Sequence, residues 1–152
     1  MKTEIKKLLP LFVFLAASIV ILFISIGFYA AKNYGKKYVL IFPSVDEGKY
    51  VLETRYLKEN PLTEPVKYFT EELILGSSLE RTKFLFTPGA KILSCFERNQ
   101  VVYIDLSADI INMGHNVLSI RDGIELLKLN VLKNFTDVKE VRVFVDGKYA
   151  FE

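Results

Sequence analysis

The stretch that decides the fold is Lys91 to Ser107, Lys-Ile-Leu-Ser-Cys-Phe-Glu-Arg-Asn-Gln-Val-Val-Tyr-Ile-Asp-Leu-Ser. Ile92, Ser94, Phe96 and Arg98 alternate with Leu93, Cys95 and Glu97, and Val101, Tyr103 and Asp105 alternate with Val102, Ile104 and Leu106. That is the period of two expected of pleated strands, and it predicts two strands folded back on each other with one largely apolar face each. Arg98, Asn99 and Gln100 supply the polar reversal, although no glycine is present to mark it.

Upstream, residues 8–31 contain no charged side chain. Twenty-four residues at about 1.5 Å each reach about 36 Å, enough for one tilted helix across a hydrocarbon core of about 30 Å. Pro10 falls in its first turn, where a missing amide costs little. Ser25 and Gly27 offer a possible cleavage site, but the apolar run continues past them, so an uncleaved signal anchor is expected. Lys2, Lys6 and Lys7 before the run are matched by Lys32, Lys36 and Lys37 after it, so the positive-inside count is level. The short basic tail then favours placing the carboxyl-terminal part outside the cytoplasm. The division expected is a tail at 1–7, an anchor at 8–31, a basic juxtamembrane linker at 32–37 and one soluble domain at 38–152.

Six of the 20 Lys and Arg lie within residues 1–37 against one of the 18 Asp and Glu. The remainder holds 14 basic and 17 acidic side chains, a balance of −3. Gripping a nucleic-acid backbone calls for a cationic surplus that this domain lacks overall, so nucleic-acid binding is not expected. With Cys95 the only cysteine, no intrachain disulfide or multi-cysteine metal site can form, and the residue reads as a small buried hydrophobe.

The other elements follow from pattern. Tyr38 to Pro43 and Lys49 to Leu57 read as strands joined by the polar turn Ser44 to Gly48. Lys58 to Pro65, with two prolines, is a connection. Val66, Phe69 and Leu73 recur at helical spacing within Glu64 to Leu75, with Thr63 as the candidate cap, Gly76 as the stop and Glu71 and Glu72 on the solvated face. Leu79 and Phe84 to Phe86 lie in an irregular stretch and would need cover from the core or from a partner. Ser119, with Asp122 three residues on, predicts a capped helix running to about Asn134. Ile120, Ile124, Leu127 and Val131 form its buried stripe, broadened by Leu126, Leu129 and Leu132. Glu140 to Val145 is a final strand closed by Asp146 and Gly147.

Taken together, several of these segments resemble the GerMN domain of bacterial sporulation, germination and other envelope proteins. They are the strand ending Ile41-Phe42-Pro43, the helix ending Glu71-Glu72-Leu73-Ile74-Leu75-Gly76, the approach Pro88-Gly89-Ala90-Lys91-Ile92-Leu93, Val102-Tyr103-Ile104-Asp105-Leu106-Ser107, and Val143-Phe144-Val145-Asp146-Gly147. The resemblance covers roughly Val39 to Glu152. It implies an α/β (α+β) fold, a small mixed or antiparallel sheet with two helices packed on one face, preceded here by the transmembrane helix. It also implies a domain tethered to the membrane and displayed outside the cytoplasm. The chain carries a single copy of the module where the sporulation proteins carry a tandem pair.

No residue is assigned a catalytic, cofactor-binding or metal role. Asp105 and Ser107 follow the central strand, but His115, the only histidine, is eight residues beyond Ser107 and no nucleophile signature accompanies them. They are expected to bond backbone amides where the strand ends. His115 has no second histidine or ligand at metal spacing and reads as a solvated loop residue. Asn134-Phe135-Thr136 fits the glycosylation sequon, yet the end of a helix explains the same residues. The function expected is a non-enzymatic interaction module docking, by a sheet edge or helix face, on another envelope protein or on a copy of itself. The alternative is a binding module for cell-wall glycan or another small ligand, with Tyr50, Tyr56, Tyr68, Tyr103 and Tyr149 offering aromatic faces beside carboxylates.

Overall fold

The computed structural model describes residues 2–32, 35–46, 48–58, 62–112 and 114–150. Parts of the expected linker, turn and connections, at residues 33–34, Glu47, 59–61 and Met113, lie outside them, as do the ends of the chain. The structure divides at Lys36 into two units. The first is helix α1 (Lys2–Lys32), whose segment Phe12–Ala30, at mean hydropathy 2.5, is long and apolar enough to cross a membrane.

The second unit runs β1 (Lys36–Pro43), β2 (Tyr50–Leu57), α2 (Pro65–Ile74), β3 (Ile92–Arg98), β4 (Val101–Leu106), a short 3-10 helix (Ala108–Ile111), α3 (Ile120–Asn134), β5 (Glu140–Val145) and β6 (Lys148–Tyr149). It is a mixed α/β fold. β1 and β2 form an antiparallel hairpin, and the other four strands form a sheet in the order β3-β4-β5-β6, with only β4 and β5 parallel. A parallel pair requires a crossover of a dozen or more residues, which α3 and its flanks provide.

The central hairpin turns on Asn99 and Gln100, both in the left-handed region with φ of 53° and 65°. That is the primed geometry whose twist suits two-residue hairpins, and asparagine tolerates it without a glycine. β4 alternates as expected, with Val102, Ile104 and Leu106 fully buried. β3 does not. It is an edge strand with a register shift between Ile92 and Ser94, Cys95 is its only buried residue, and Leu93 and Phe96 are exposed. Its apolar face is therefore less apolar in use than its sequence suggests.

Other boundaries move slightly. β1 starts at Lys36, two residues before the expected strand. Glu64, not Thr63, occupies the N-cap position of α2, followed by Pro65 in the first turn. α3 is capped as the sequence indicates: Ser119 Oγ accepts from the Asp122 amide at 3.2 Å and donates to the Asp122 carboxylate at 2.6 Å. β6 had no signal because two residues carry no period.

Leu85 and Phe86 are fully buried, so the Phe84 to Phe86 segment supplies core and does not leave a patch for a partner. It is locked there by its neighbours. Phe84 bridges Val117, and Gly123 in the first turn of α3 lies so close that a Cβ there would stand 2.5 Å from the Leu85 carbonyl oxygen and 2.9 Å from the Phe86 ring. Helix propensity alone would make alanine better than glycine by about 1 kcal/mol. Overpacking costs about 1–3 kcal/mol, and a backbone oxygen at that distance, unable to swing aside like a side chain, places this case in the upper part of the range. Gly123→Ala is thus expected to lose about 1–2 kcal/mol in denaturant unfolding of the full chain, and a neutral or stabilised variant would mean the two segments are not so tightly apposed.

Candidate functional site

Three groups of residues stand apart from the apolar packing: an aromatic face, an ionic node and a polar pair. The first is the outer face of the four-stranded sheet. Because Val102, Ile104, Val141 and Val143 point inward, pleating sends Tyr103, Arg142 and Phe144 to the opposite side, and register sets Phe96 beside Tyr103 and Tyr149 beside Phe144. Phe96 stacks on Tyr103 with ring centroids 5.2 Å apart and 14° between planes. The Arg142 guanidinium lies 5.8 Å from the Tyr103 ring, and Phe144 meets Tyr149 edge-on at 5.3 Å. Among the described residues of the domain no element covers this face, and Phe96 and Tyr149 remain 43% and 45% exposed.

The second group is a buried ionic node. Glu53, 8% exposed, accepts from Arg55 Nε at 2.8 Å, Ser77 Oγ at 2.6 Å, Ser78 Oγ at 2.8 Å and the Ser78 amide at 3.1 Å. Burial pushes its carboxyl up, but these donors outweigh burial and hold the pKa down at about 2. Arg55 spends its other nitrogens on the Glu72 carboxylate at 3.0 Å, the Glu72 carbonyl oxygen at 3.0 Å and the Gly76 carbonyl oxygen at 2.6 Å. Glu72 is accordingly an ion-pair partner, not a solvated residue. The node ties β2 to the C-terminal end of α2, where Gly76, at φ 94°, turns the chain under the Phe84 ring.

The third group is a pair of asparagines. Asn130 Oδ1 accepts from the Ile41 amide at 2.7 Å while its Nδ2 donates to the Ile41 carbonyl at 3.0 Å and to the Leu126 carbonyl at 2.9 Å. Asn134 repeats the pattern one turn on, with Val39 at 2.9 and 2.8 Å and the Asn130 carbonyl at 2.9 Å. Residues four apart on a helix are about 6.0 Å apart along its axis, and residues two apart on a strand about 6.7 Å, so α3 stands in for a strand along the edge of β1. The sequon residue Asn134 thus has its whole amide committed.

The remaining sequence candidates fall elsewhere. Asp105 accepts from the Gly147 amide at 3.1 Å, and Ser107 Oγ accepts from the Lys91 amide at 3.1 Å and donates to Asp109 at 2.9 Å. Both bond backbone amides, as expected. His115 is exposed on a turn. Burial pushes the Cys95 thiol up to about 12, leaving it protonated and inert at neutral pH. Asp146 and Gly147 both take positive φ in the β5–β6 turn. Of the five tyrosines, Tyr103 and Tyr149 share the outer face, and Tyr50 lines a cavity with Asp122 and Glu125. The ionic node and the asparagine pair escaped the sequence reading.

A family model for sporulation and spore germination domains, Germane, matches residues 37–150, three quarters of the chain. The chain belongs to the Germane family. An uncharacterized lipoprotein of Treponema pallidum is 32% identical over 87 residues, 57% of this chain and 65% of that protein, so the match spans less than two thirds of the relative. The first GerMN domain of the sporulation protein GerM from Bacillus subtilis superposes with TM-score 0.58 over 75% of this chain and 85% of that one, at 13% identity. The tandem GerMN domains of the same protein give TM-score 0.61 over 78% of this chain and 42% of that one, also at 13% identity. At that identity the likeness is one of fold. The matched segment begins within β1 and closes just after β6.

Proposed function

We propose that this Germane protein is a membrane-anchored, extracytoplasmic, non-enzymatic interaction module of the bacterial cell envelope, docking on another envelope protein or on a second copy of itself. The 19-residue apolar segment of α1 supports the anchor, and a relative described as a lipoprotein supports an envelope setting. The observation that carries the docking role is the uncovered outer face of the sheet. The few residues that dominate binding at protein interfaces are enriched in tyrosine and arginine, and here Tyr103 sits between Phe96 and Arg142 already stacked, so little side-chain freedom is lost on binding.

The sheet edges at β1, β3 and β6 are less available than the face. Asn130 and Asn134 occupy the outer edge of β1, the Glu64 carboxylate accepts from the Glu97 amide at 3.2 Å on β3, and β6 is only two residues long. Strand addition at those three strands is thereby disfavoured relative to face-on contact, while β2, which pairs only with β1 among the described residues, keeps an outer edge. A photo-reactive phenylalanine analogue placed at Phe96 or Phe144 of the full chain in its native cells should crosslink to a protein, and one at exposed Glu80 should not. Tyr103→Glu should reduce the crosslink at least tenfold. Monomer alone at all three positions would refute the proposal.

A further inference from the structure

A cavity of about 510 Å³ opens between the end of β1, the start of β2 and the first turns of α3. That volume is within the range of pockets that hold small molecules. Its apolar surface comes from Pro43 and Leu118, from Leu126, which is nearly buried, and from Leu129, which is half-exposed on the next turn of the helix. The ring of Tyr50 stands beside them. Leu129 at 50% exposure is more apolar surface than the α3 stripe requires for the core.

Four charged side chains line the same cavity, Lys49, Lys83, Asp122 and Glu125. Each carboxylate already has a donor of its own. Asp122 accepts from Ser119 Oγ at 2.6 Å at the positive end of the α3 dipole, and Glu125 pairs with Lys128 at 3.2 Å. Among the described residues neither Lys49 nor Lys83 makes an ion pair or a side-chain hydrogen bond, and Lys83 is half-buried. Both therefore bring to the cavity an ammonium group that no carboxylate neutralises, and an anion held between them would gain charge-assisted hydrogen bonds.

From this arrangement we infer that the cavity is a binding site for a small amphiphilic anion, with its apolar body against Leu118, Leu126, Leu129 and Tyr50 and its anionic head between Lys49 and Lys83. The site lies on the hairpin and α3, apart from the residues of the outer sheet face, and stands or falls independently of the docking role.

The test uses the full chain in lipid nanodiscs with labelled leucine methyls, titrated with 4-phenylbutyrate and, separately, with 4-phenylbutylamine. The carboxylate should give saturable shifts of the Leu118, Leu126 and Leu129 methyls, and the amine should not. The Lys49→Gln, Lys83→Gln double variant should weaken carboxylate binding at least tenfold with unchanged unfolding temperature. Leu129→Glu, which places a carboxylate at the mouth, should abolish it. Equal shifts from the amine, an unchanged affinity in the double variant, or no saturable shift at all would overturn the assignment. Phe96 crosslinking in the same variants should be unaltered, which separates failure of this site from failure of the docking face.

Discussion

Asn130→Leu is expected to lower the stability of the domain by about 3–5 kcal/mol, because one fully buried side chain satisfies three backbone groups at once. Leucine matches the volume and removes all three bonds. The Ile41 amide and carbonyl then face an apolar surface, and each buried group left unpaired costs about 1–3 kcal/mol. The Leu126 carbonyl still accepts within the helix, so its loss adds little. Asn130→Asp should recover only part of the deficit, since a carboxylate accepts from the Ile41 amide but turns a second lone pair on the Ile41 carbonyl. Asn134→Leu should cost less, about 1–2 kcal/mol, because that side chain is only partly buried. Denaturant midpoints of the full chain measure all three. An Asn130→Leu protein within 1 kcal/mol of the parent would mean that α3 does not serve as the missing strand.

Those asparagines also show what the sequence could and could not disclose. The β4 pattern, the Ser119 cap and the limits of α3 and β5 were legible because each depends on residues within a few positions of one another. Leu129 and Leu132 were read as broadening the buried stripe, yet they are 50% and 39% exposed, while Asn130, which the hydrophobic pattern passes over, is the residue in the core. Hydrophobic periodicity locates a helix face only to within a residue or so, and it has no term for a polar side chain paired across 89 positions. The signal was present in weak form: two asparagines four apart, one beside Val131 and one ending the helix.

Site residues follow the same division. Tyr103 and Phe96 could be assigned to one face of the hairpin from alternation alone. That this face is the uncovered one depends on which side α2 and α3 take, which is a property of the crossover. The Phe84 to Phe86 segment illustrates the converse, because three large apolar residues in an irregular stretch look surplus until Gly123 lets a helix close over them. Glu53 and Arg55 were lost within an ordinary strand, since their partners come from the other end of α2.

That pair gives the second large effect. Arg55→Met should cost about 3–5 kcal/mol at pH 7, because breaking a buried ion pair strands the remaining charge. Glu53 would keep its serine donors, but the carboxylate of Glu72 and the Gly76 carbonyl would lose theirs. The pH dependence tests the mechanism. Glu53 has an ordinary value of 4.5 and a folded value of about 2, so between those pH values the unfolded chain binds the extra proton and stability rises with pH. The contribution is fully present above about pH 4.5 and is lost as pH falls through 2, and the shift corresponds to about 3 kcal/mol. Glu53→Gln should therefore flatten the acid limb of the stability profile between pH 4.5 and 2. The penalty of Arg55→Met should shrink over the same interval, since a protonated Glu53 no longer needs the guanidinium. If the Arg55→Met penalty were instead constant from pH 7 to pH 2, packing of the arginine stem against Phe42, whose ring lies 5.8 Å from the guanidinium, would account for it better than charge.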